Sequence, residues 1–192
     1  MIRRLTTMIA DNLHQARYGM LAALLVYAAG AVAGWWFADA IDVLQPAAEG
    51  LAGAFRDKGP VDFIASLFLH NLAATYITMC LVTLWGLVPL AAAVGNGLLL
   101  GWVVATVTGT SLSTAAALLV PHGLFEWPAM LIAWGVGLWR GVGYRFGPGP
   151  HSARYIDRWK QANLLYFSIV LPLLLIAAVI EGRGRILAIV SG

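Results

Sequence analysis

Charged side chains are scarce in this sequence. They make up 11% of its 192 residues, whereas hydrophobic residues make up 60%, and the mean hydropathy is +0.80. Soluble domains carry about 25% charged residues, so this composition excludes an ordinary soluble domain. Helices satisfy their own backbone hydrogen bonds and can therefore cross a bilayer. The composition predicts an all-α fold, a polytopic membrane helical bundle.

Several chemical signatures are also missing. The single cysteine, Cys80, excludes an internal disulfide and a cysteine-based metal site within one chain, and we interpret it as a small buried hydrophobe. No nucleophile elbow, phosphate-binding glycine loop or redox motif is present. The net charge of +3 comes from Lys and Arg at the ends of apolar segments, which does not indicate nucleic-acid binding. We therefore assign no catalytic residues, no cofactor and no nucleic-acid partner.

Long apolar runs are what the sequence has in abundance. Five of them approach the ~20 residues that a bilayer requires. The second and third form one nearly continuous run, in which Gly86 and Pro89 mark a tight helical hairpin. No loop is large enough for a soluble domain, so residues 1–192 are predicted to form a single transmembrane domain. The predicted spans are 18–37, 64–88, 90–107, 113–139 and 164–180.

Loop charges predict the orientation. The N-terminal tail and the segment 140–160 carry an excess of Arg and Lys, whereas the segment 38–62 is mainly acidic. The positive-inside rule then puts the N-terminus and the fourth loop inside and the first loop outside. Arg183 and Arg185, beyond the last span, mildly oppose this orientation. Within the first loop, 45–58 is predicted to be a short amphipathic helix at the membrane interface.

Small residues recur every fourth position along the third span, at Ala93, Gly97, Gly101, Ala105 and Gly109. Such a ridge allows a neighbouring helix to approach closely, which is a common mode of packing in membranes. The ridge predicts helix packing within the chain, and a seam between two copies in a homo-oligomer is the alternative. No feature of the sequence separates the two.

The fourth span contains the sequence PHGLFEWPAM. His122 and Glu126 are four residues apart, so a helix presents both on one face. Ionisable groups at membrane depth are costly, which favours a functional role. Pro121 and Pro128 bracket them and lack the N–H that would bond the carbonyl four residues earlier. The sequence predicts direct or water-mediated coupling of the two side chains.

Three chemical interpretations of this pair remain open. One is a metal site, for which His70 is the available second imidazole, but the zincin pattern needs two histidines and a general base. Another is a proton or ion relay, in which Asn71 and Asn96 of the second and third spans take part. The last is a polar lock that fixes helix packing. For the two asparagines, the plain alternative is interhelical hydrogen bonding, about 0.6–2 kcal/mol each.

Small and polar residues occur in a characteristic order along the second, third and fourth spans. They are Asn71, Ala73, Ala74, Gly86, Pro89, Asn96, Gly97, Gly101, Pro121, His122, Gly123, Glu126, Pro128 and Ala129. In this order and spacing, residues 63–133 resemble the stage II sporulation protein M family of bacterial and archaeal membrane proteins. The pattern PHGxxExPA is the most specific part of the resemblance. Trp127 stands where we expect an aliphatic residue.

The resemblance implies a multi-span protein of about five helices in a bacterial or archaeal cytoplasmic membrane. The sporulation member is associated with a membrane complex that includes cell-wall hydrolases. We therefore expect a non-enzymatic scaffold or anchor whose partners are the lipid bilayer and other membrane or envelope proteins. The alternatives are a transporter or ion pathway centred on His122 and Glu126 and, less favoured, an intramembrane metal-dependent hydrolase. A water-connected cavity around Glu126 would favour the ion pathway over the scaffold.

Overall fold

The computed structural model describes residues 2–41, 44–81, 83–106, 112–146 and 148–190. The side chains of His122 and of 184–190 are among those outside the description. Helices make up the regular structure of the described residues, and the all-α prediction is confirmed. The helices are α1 (Ile2–Trp36), α2 (Leu44–Arg56), α3 (Pro60–Cys80), α4 (Leu87–Thr106), α5 (Leu112–Phe146), α6 (His151–Leu165) and α7 (Leu171–Val190).

Among the described residues, four stretches of helix are long and apolar enough to cross a membrane. They are Arg3–Trp36, Pro60–Cys80, Leu84–Thr106 and His151–Arg183, the last running through α6 and α7. The fourth predicted span, 113–139, lies within α5, which has 35 residues but several undescribed side chains in its first turns. A helical membrane protein is therefore established, and the number of five spans stays a prediction.

Helices α1 and α4 pack with their backbones in contact. A Cβ atom on Gly97 or Gly101 of α4 would overlap backbone atoms of α1, and one on Gly30 or Gly34 of α1 would overlap backbone atoms of α4. The two backbones can approach this closely because glycine has no side chain. The small-residue ridge of α4 thus lies against α1 of the same chain. Of its other members, Ala93 is buried, Ala105 is half-buried and Gly109 lies outside the described residues.

The hairpin between α3 and α4 begins earlier than the sequence indicates. Helix α3 ends at Cys80, and the backbone turns through Leu84, Trp85 and Gly86, whose φ angles are 51°, 58° and 89°. The predicted span 64–88 therefore includes the break, because apolar residues continue through it and hydropathy does not detect a change of backbone direction. Gly86 lies in the turn itself. Pro89 lies in the first turn of α4, where its missing N–H costs nothing.

Helix α5 is central to the bundle and contacts α1, α3, α4, α6 and α7. It continues through Pro121 and Pro128 and extends beyond the predicted limit at residue 139 as far as Phe146. Arg140, expected in the loop after this span, lies within the helix and is 2% exposed. The prediction for Arg140 was wrong, because charge alone marked it as a loop residue.

The junction of α6 and α7 is a π-helical turn, Tyr166–Val170. The Leu171 N–H bonds the Tyr166 carbonyl, five residues back. Pro172 follows directly and has no backbone N–H to donate. A π-helical turn is one way for a helix to accommodate this missing hydrogen bond. The predicted fifth span, 164–180, falls within this composite helix.

The helix contacts define two ends of the bundle. Gly141, near the end of α5, lies against Gly86, so the α3–α4 hairpin and the end of α5 are together. We call this the hairpin end. Gly101, in the second half of α4, lies against Trp35 near the end of α1. Helix α2 follows α1 there, and we call this the α2 end.

Candidate functional site

A partly open cavity of about 400 Å³ lies among α1, α3, α4 and α5. Phe55 of α2 and Glu181 of α7 also line it. Apolar side chains form much of the wall, but carboxyl, amide, imidazole and hydroxyl groups face the same space. The polar lining residues are Tyr27, His70, Asn71, Thr75, Thr78, Asn96, Glu126 and Glu181.

Glu126 of α5 is held by a side chain of a different helix. Its Oε1 atom accepts a hydrogen bond of 3.0 Å from Nδ2 of Asn71 on α3. Asn71 in turn uses its backbone carbonyl to accept a 2.6 Å bond from the Thr75 hydroxyl. A hydrogen bond to the carboxyl group offsets part of the cost of placing it in an apolar bundle. The bond fixes one carboxyl oxygen of Glu126 at the wall of the cavity.

Asn96 lies across the cavity on α4. One N–H of its amide bonds the Ala92 carbonyl of its own helix at 2.8 Å. Among the described residues, no hydrogen bond joins Asn96 to Asn71 or Glu126. The Asn96 amide also has an oxygen and a second N–H, so it can accept or donate a hydrogen bond in the cavity.

The cavity wall is connected by hydrogen bonds to the π-helical turn before α7. The Thr75 hydroxyl lies 2.9 Å from the Tyr166 hydroxyl, and Tyr166 donates to the Leu72 carbonyl at 2.6 Å. Thr75 and Tyr166 are both buried. A chain of polar contacts thus runs from Glu126 through Asn71 and Thr75 to Tyr166. Movement of the π-helical turn would disturb the support of Glu126.

The glycine of the PHGxxE motif has a packing role. Gly123 is buried, and a Cβ atom there would lie 3.0 Å from Cε2 of the Trp127 indole ring. Trp127, one turn later on α5, therefore lies across Gly123 while it lines the cavity. The missing side chain at Gly123 provides the space for the large residue at Trp127.

The other predicted site residues lie in different parts of the structure. His70 lines the cavity and makes a ring contact with Phe55, with centroids 5.9 Å apart. The side chain of His122 lies outside the described residues, so its predicted coupling to Glu126 stays a prediction. Pro121 and Pro128 are exposed positions within a continuous helix. Gly97 lies in the contact with α1 and not in the cavity.

A metal site has no support among the described side chains. Within that part of the chain, no group of three His, Cys, Asp or Glu residues is arranged to hold an ion. Of the predicted candidates, His70 and Glu126 line one cavity, and His122 falls outside the description.

Sequence reasoning missed the cross-helix partner of Glu126. Both Asn71 and Glu126 were singled out, but helical periodicity relates residues within one helix and does not pair α3 with α5. Glu181, which directly follows the last predicted span, lines the same cavity. Its position directly after an apolar run was the available signal.

The chain matches a known protein family over most of its length. The family model described as stage II sporulation protein M matches residues 23–183. The chain belongs to this family. The match confirms the resemblance inferred from residues 63–133 and extends it over every helix that contributes to the cavity. No curated protein and no solved structure matches the chain.

In this stage II sporulation protein M family member, acidic and amide side chains line the cavity. Glu126 and Glu181 supply two carboxyl groups, and Asn71 and Asn96 supply amide groups. Among the described lining side chains there is no Lys or Arg. A carboxyl group in a low-dielectric setting attracts cations strongly or binds a proton. Proton or cation binding is therefore the chemistry that this arrangement supports.

Proposed function

We propose that this protein is a multi-pass protein of a bacterial or archaeal cytoplasmic membrane that conducts protons or small cations through the cavity at Glu126. The observation that carries the proposal is the carboxyl group of Glu126, bonded to Asn71 and facing a cavity of about 400 Å³. That volume lies within the ~300–1,000 Å³ typical of ligand sites. It has room for on the order of ten water molecules.

A purely structural role for Glu126 explains less. A packing contact between α3 and α5 needs neither a carboxyl group nor empty space beside it, and small apolar residues would provide it at lower cost. The cavity also gathers Glu181 and Asn96 from two further helices. Prolines in a helix next to a polar site are a feature of membrane transport proteins. His122, one turn before Glu126, is the second proposed relay group.

The test is ion flux through the full chain in liposomes. Proton uptake is followed with an enclosed pH-sensitive dye under a K⁺ diffusion potential, and Na⁺ uptake is followed in parallel with a Na⁺-sensitive dye. Glu126→Gln keeps an oxygen that accepts the Asn71 bond but cannot exchange a proton or carry charge. We expect it to lower the flux at least tenfold with helix content and melting temperature retained, and His122→Ala to lower it as well.

The matched control is Glu49→Gln, which makes the same change on an exposed position of α2. It should conduct as the unmodified chain does. Equal flux in Glu126→Gln and the unmodified chain would contradict the proposal. Flux of the unmodified chain no faster than that of empty liposomes, for both ions, would do so too.

The second candidate is a scaffold for other envelope proteins, favoured by the exposed charged face of α2. Gln45, Glu49 and Arg56 are exposed on this short helix, which lies outside the central bundle. Helices at a membrane surface are suited to contacts with neighbouring proteins. The flux assay separates the two candidates, because a scaffold requires no conduction and tolerates Glu126→Gln.

A further inference from the structure

A second cavity lies far from Glu126, at the hairpin end of the bundle. It is a crevice of about 420 Å³ between α1 and α5, with α6 at one edge. Its walls are mainly apolar, and Gln15 and Arg158 are its polar members. The apolar and aromatic lining comes from Tyr18, Leu138, Trp139, Val142 and Phe146.

Arg158 is positioned at this crevice by contacts with α5. One of its N–H groups donates to the Trp139 carbonyl at 2.9 Å, and the guanidinium carbon lies 4.3 Å from the centre of the Trp139 ring. The guanidinium also lies directly over Gly143, where a Cβ atom would overlap it. The glycine therefore lets Arg158 reach from α6 across α5 into the crevice.

A second guanidinium group lies beside Tyr18, one of the residues that line the crevice. Arg17 of α1 bonds the Tyr18 hydroxyl at 3.2 Å and lies over the Tyr18 ring at 4.4 Å. No described lining residue of the crevice is acidic. The site therefore combines an apolar groove with two cations, and Trp139 and Tyr18 are residue types that prefer the level of lipid headgroups.

We propose that this crevice binds an anionic phospholipid. An acyl chain would lie along the groove beside Val142, and the phosphate would contact Arg158 and Arg17. Guanidinium groups bind phosphate through paired N–H donors, and basic pockets between membrane helices suit anionic headgroups. Free phosphate would make no use of the apolar wall. Charge and shape together thus favour a lipid, and the argument is independent of conduction at Glu126.

The experiment measures lipid binding to the purified full chain by native mass spectrometry and by the melting temperature in detergent. Phosphatidylglycerol is titrated against phosphatidylcholine and against inorganic phosphate. We expect at least tenfold tighter binding of phosphatidylglycerol than of phosphatidylcholine, with a matching rise in melting temperature. The double variant Arg17→Gln with Arg158→Gln should lose that preference.

Two further variants test the geometry. Gly143→Ala should displace the guanidinium of Arg158 and weaken phosphatidylglycerol binding with no change in net charge. Val142→Trp should fill the groove and weaken binding of both lipids. Arg3→Gln is the control, because it removes one positive charge from an exposed position of α1 outside the crevice.

Three results would overturn the proposal. One is equal binding of phosphatidylglycerol and phosphatidylcholine to the unmodified chain. Another is a retained preference in the double arginine variant, which would place the headgroup elsewhere. The third is stabilisation by inorganic phosphate equal to that by phosphatidylglycerol, which would indicate an anion site that needs no lipid.

Discussion

Arg140 shows how a single charged residue can connect three helices. It is buried on α5, and Nη1 donates to the Met79 carbonyl at 2.7 Å, near the end of α3. The last carbonyls of a helix lack partners within it and carry partial negative charge, so a cation there is favoured. The guanidinium also lies 5.7 Å from the Tyr155 ring of α6. Arg140 thus joins the ends of three helices.

We predict that Arg140→Ala lowers the stability of the bundle. The substitution leaves the Met79 carbonyl without its donor, and the loss of a hydrogen bond to a charged group costs about 1.5–3 kcal/mol. The melting temperature in detergent measures the effect. Arg145→Ala, an exposed position on the same helix, is the control and should change it little. Equal melting temperatures of the two variants would show that the buried bond contributes nothing measurable.

Glu126 and Arg140 show which features of the structure the sequence does not predict. A run of apolar residues identifies a helix, and a lone Glu126 in that run identifies a costly group. The partner of that group depends on how α3 and α5 are rotated about their axes, which hydropathy does not encode. Asn71 was named from the sequence, and its bond to Glu126 was not. Arg140 was misplaced because a charge at the end of an apolar run resembles a loop residue.

At the scale of elements, the close contact of α1 and α4 governs stability. Hydrophobic residues gain little from each other in lipid, so packing depends on how closely the backbones approach. The spacing of Gly97 and Gly101 predicted such a surface, and the structure places α1 against it. The hairpin was predicted at Gly86 and Pro89, but its early start after Cys80 and the π-helical turn before Pro172 were not. Both are changes of backbone geometry inside apolar sequence, to which hydropathy is insensitive.

We predict that Gly101→Leu destabilises the protein strongly. A side chain there would meet backbone atoms of Ala31 and Trp35, which cannot rotate away, and overpacking typically costs about 1–3 kcal/mol or more. The control is Gly95→Leu on the same helix, since nothing lies within 4 Å of a Cβ atom at that position. Yield and melting temperature should fall for Gly101→Leu and stay unchanged for Gly95→Leu. Wild-type values for both would mean that α4 does not contact α1 as closely as the structure shows.

At the scale of the whole molecule, the two sites lie in different parts of the bundle. The cavity at Glu126 is lined in part by α2 and the end of α7, whereas the crevice at Arg158 lies at the hairpin end. Two carboxyl groups line the first, and the guanidinium group of Arg158 lines the second. Composition predicted a helical membrane protein, and the loop charges predicted an asymmetric one. The cavities themselves arise from contacts among α1, α3, α4, α5 and α6 that no single segment determines.

The final prediction concerns how the chain crosses the membrane. Cys80→Ser removes the single cysteine, and new cysteines are then placed at Lys58 or Gly149 and labelled in intact cells with a membrane-impermeant maleimide. Three helices, α3 to α5, separate the two positions, so they should lie on opposite sides. Because the hairpin end holds the basic segments, Lys58 should label from outside and Gly149 only after permeabilisation. Labelling of both from the same side would mean an even number of crossings and would contradict the five-span arrangement. Labelling of Gly149 alone from outside would keep the spans but reverse the orientation, and would place the lipid crevice in the outer leaflet.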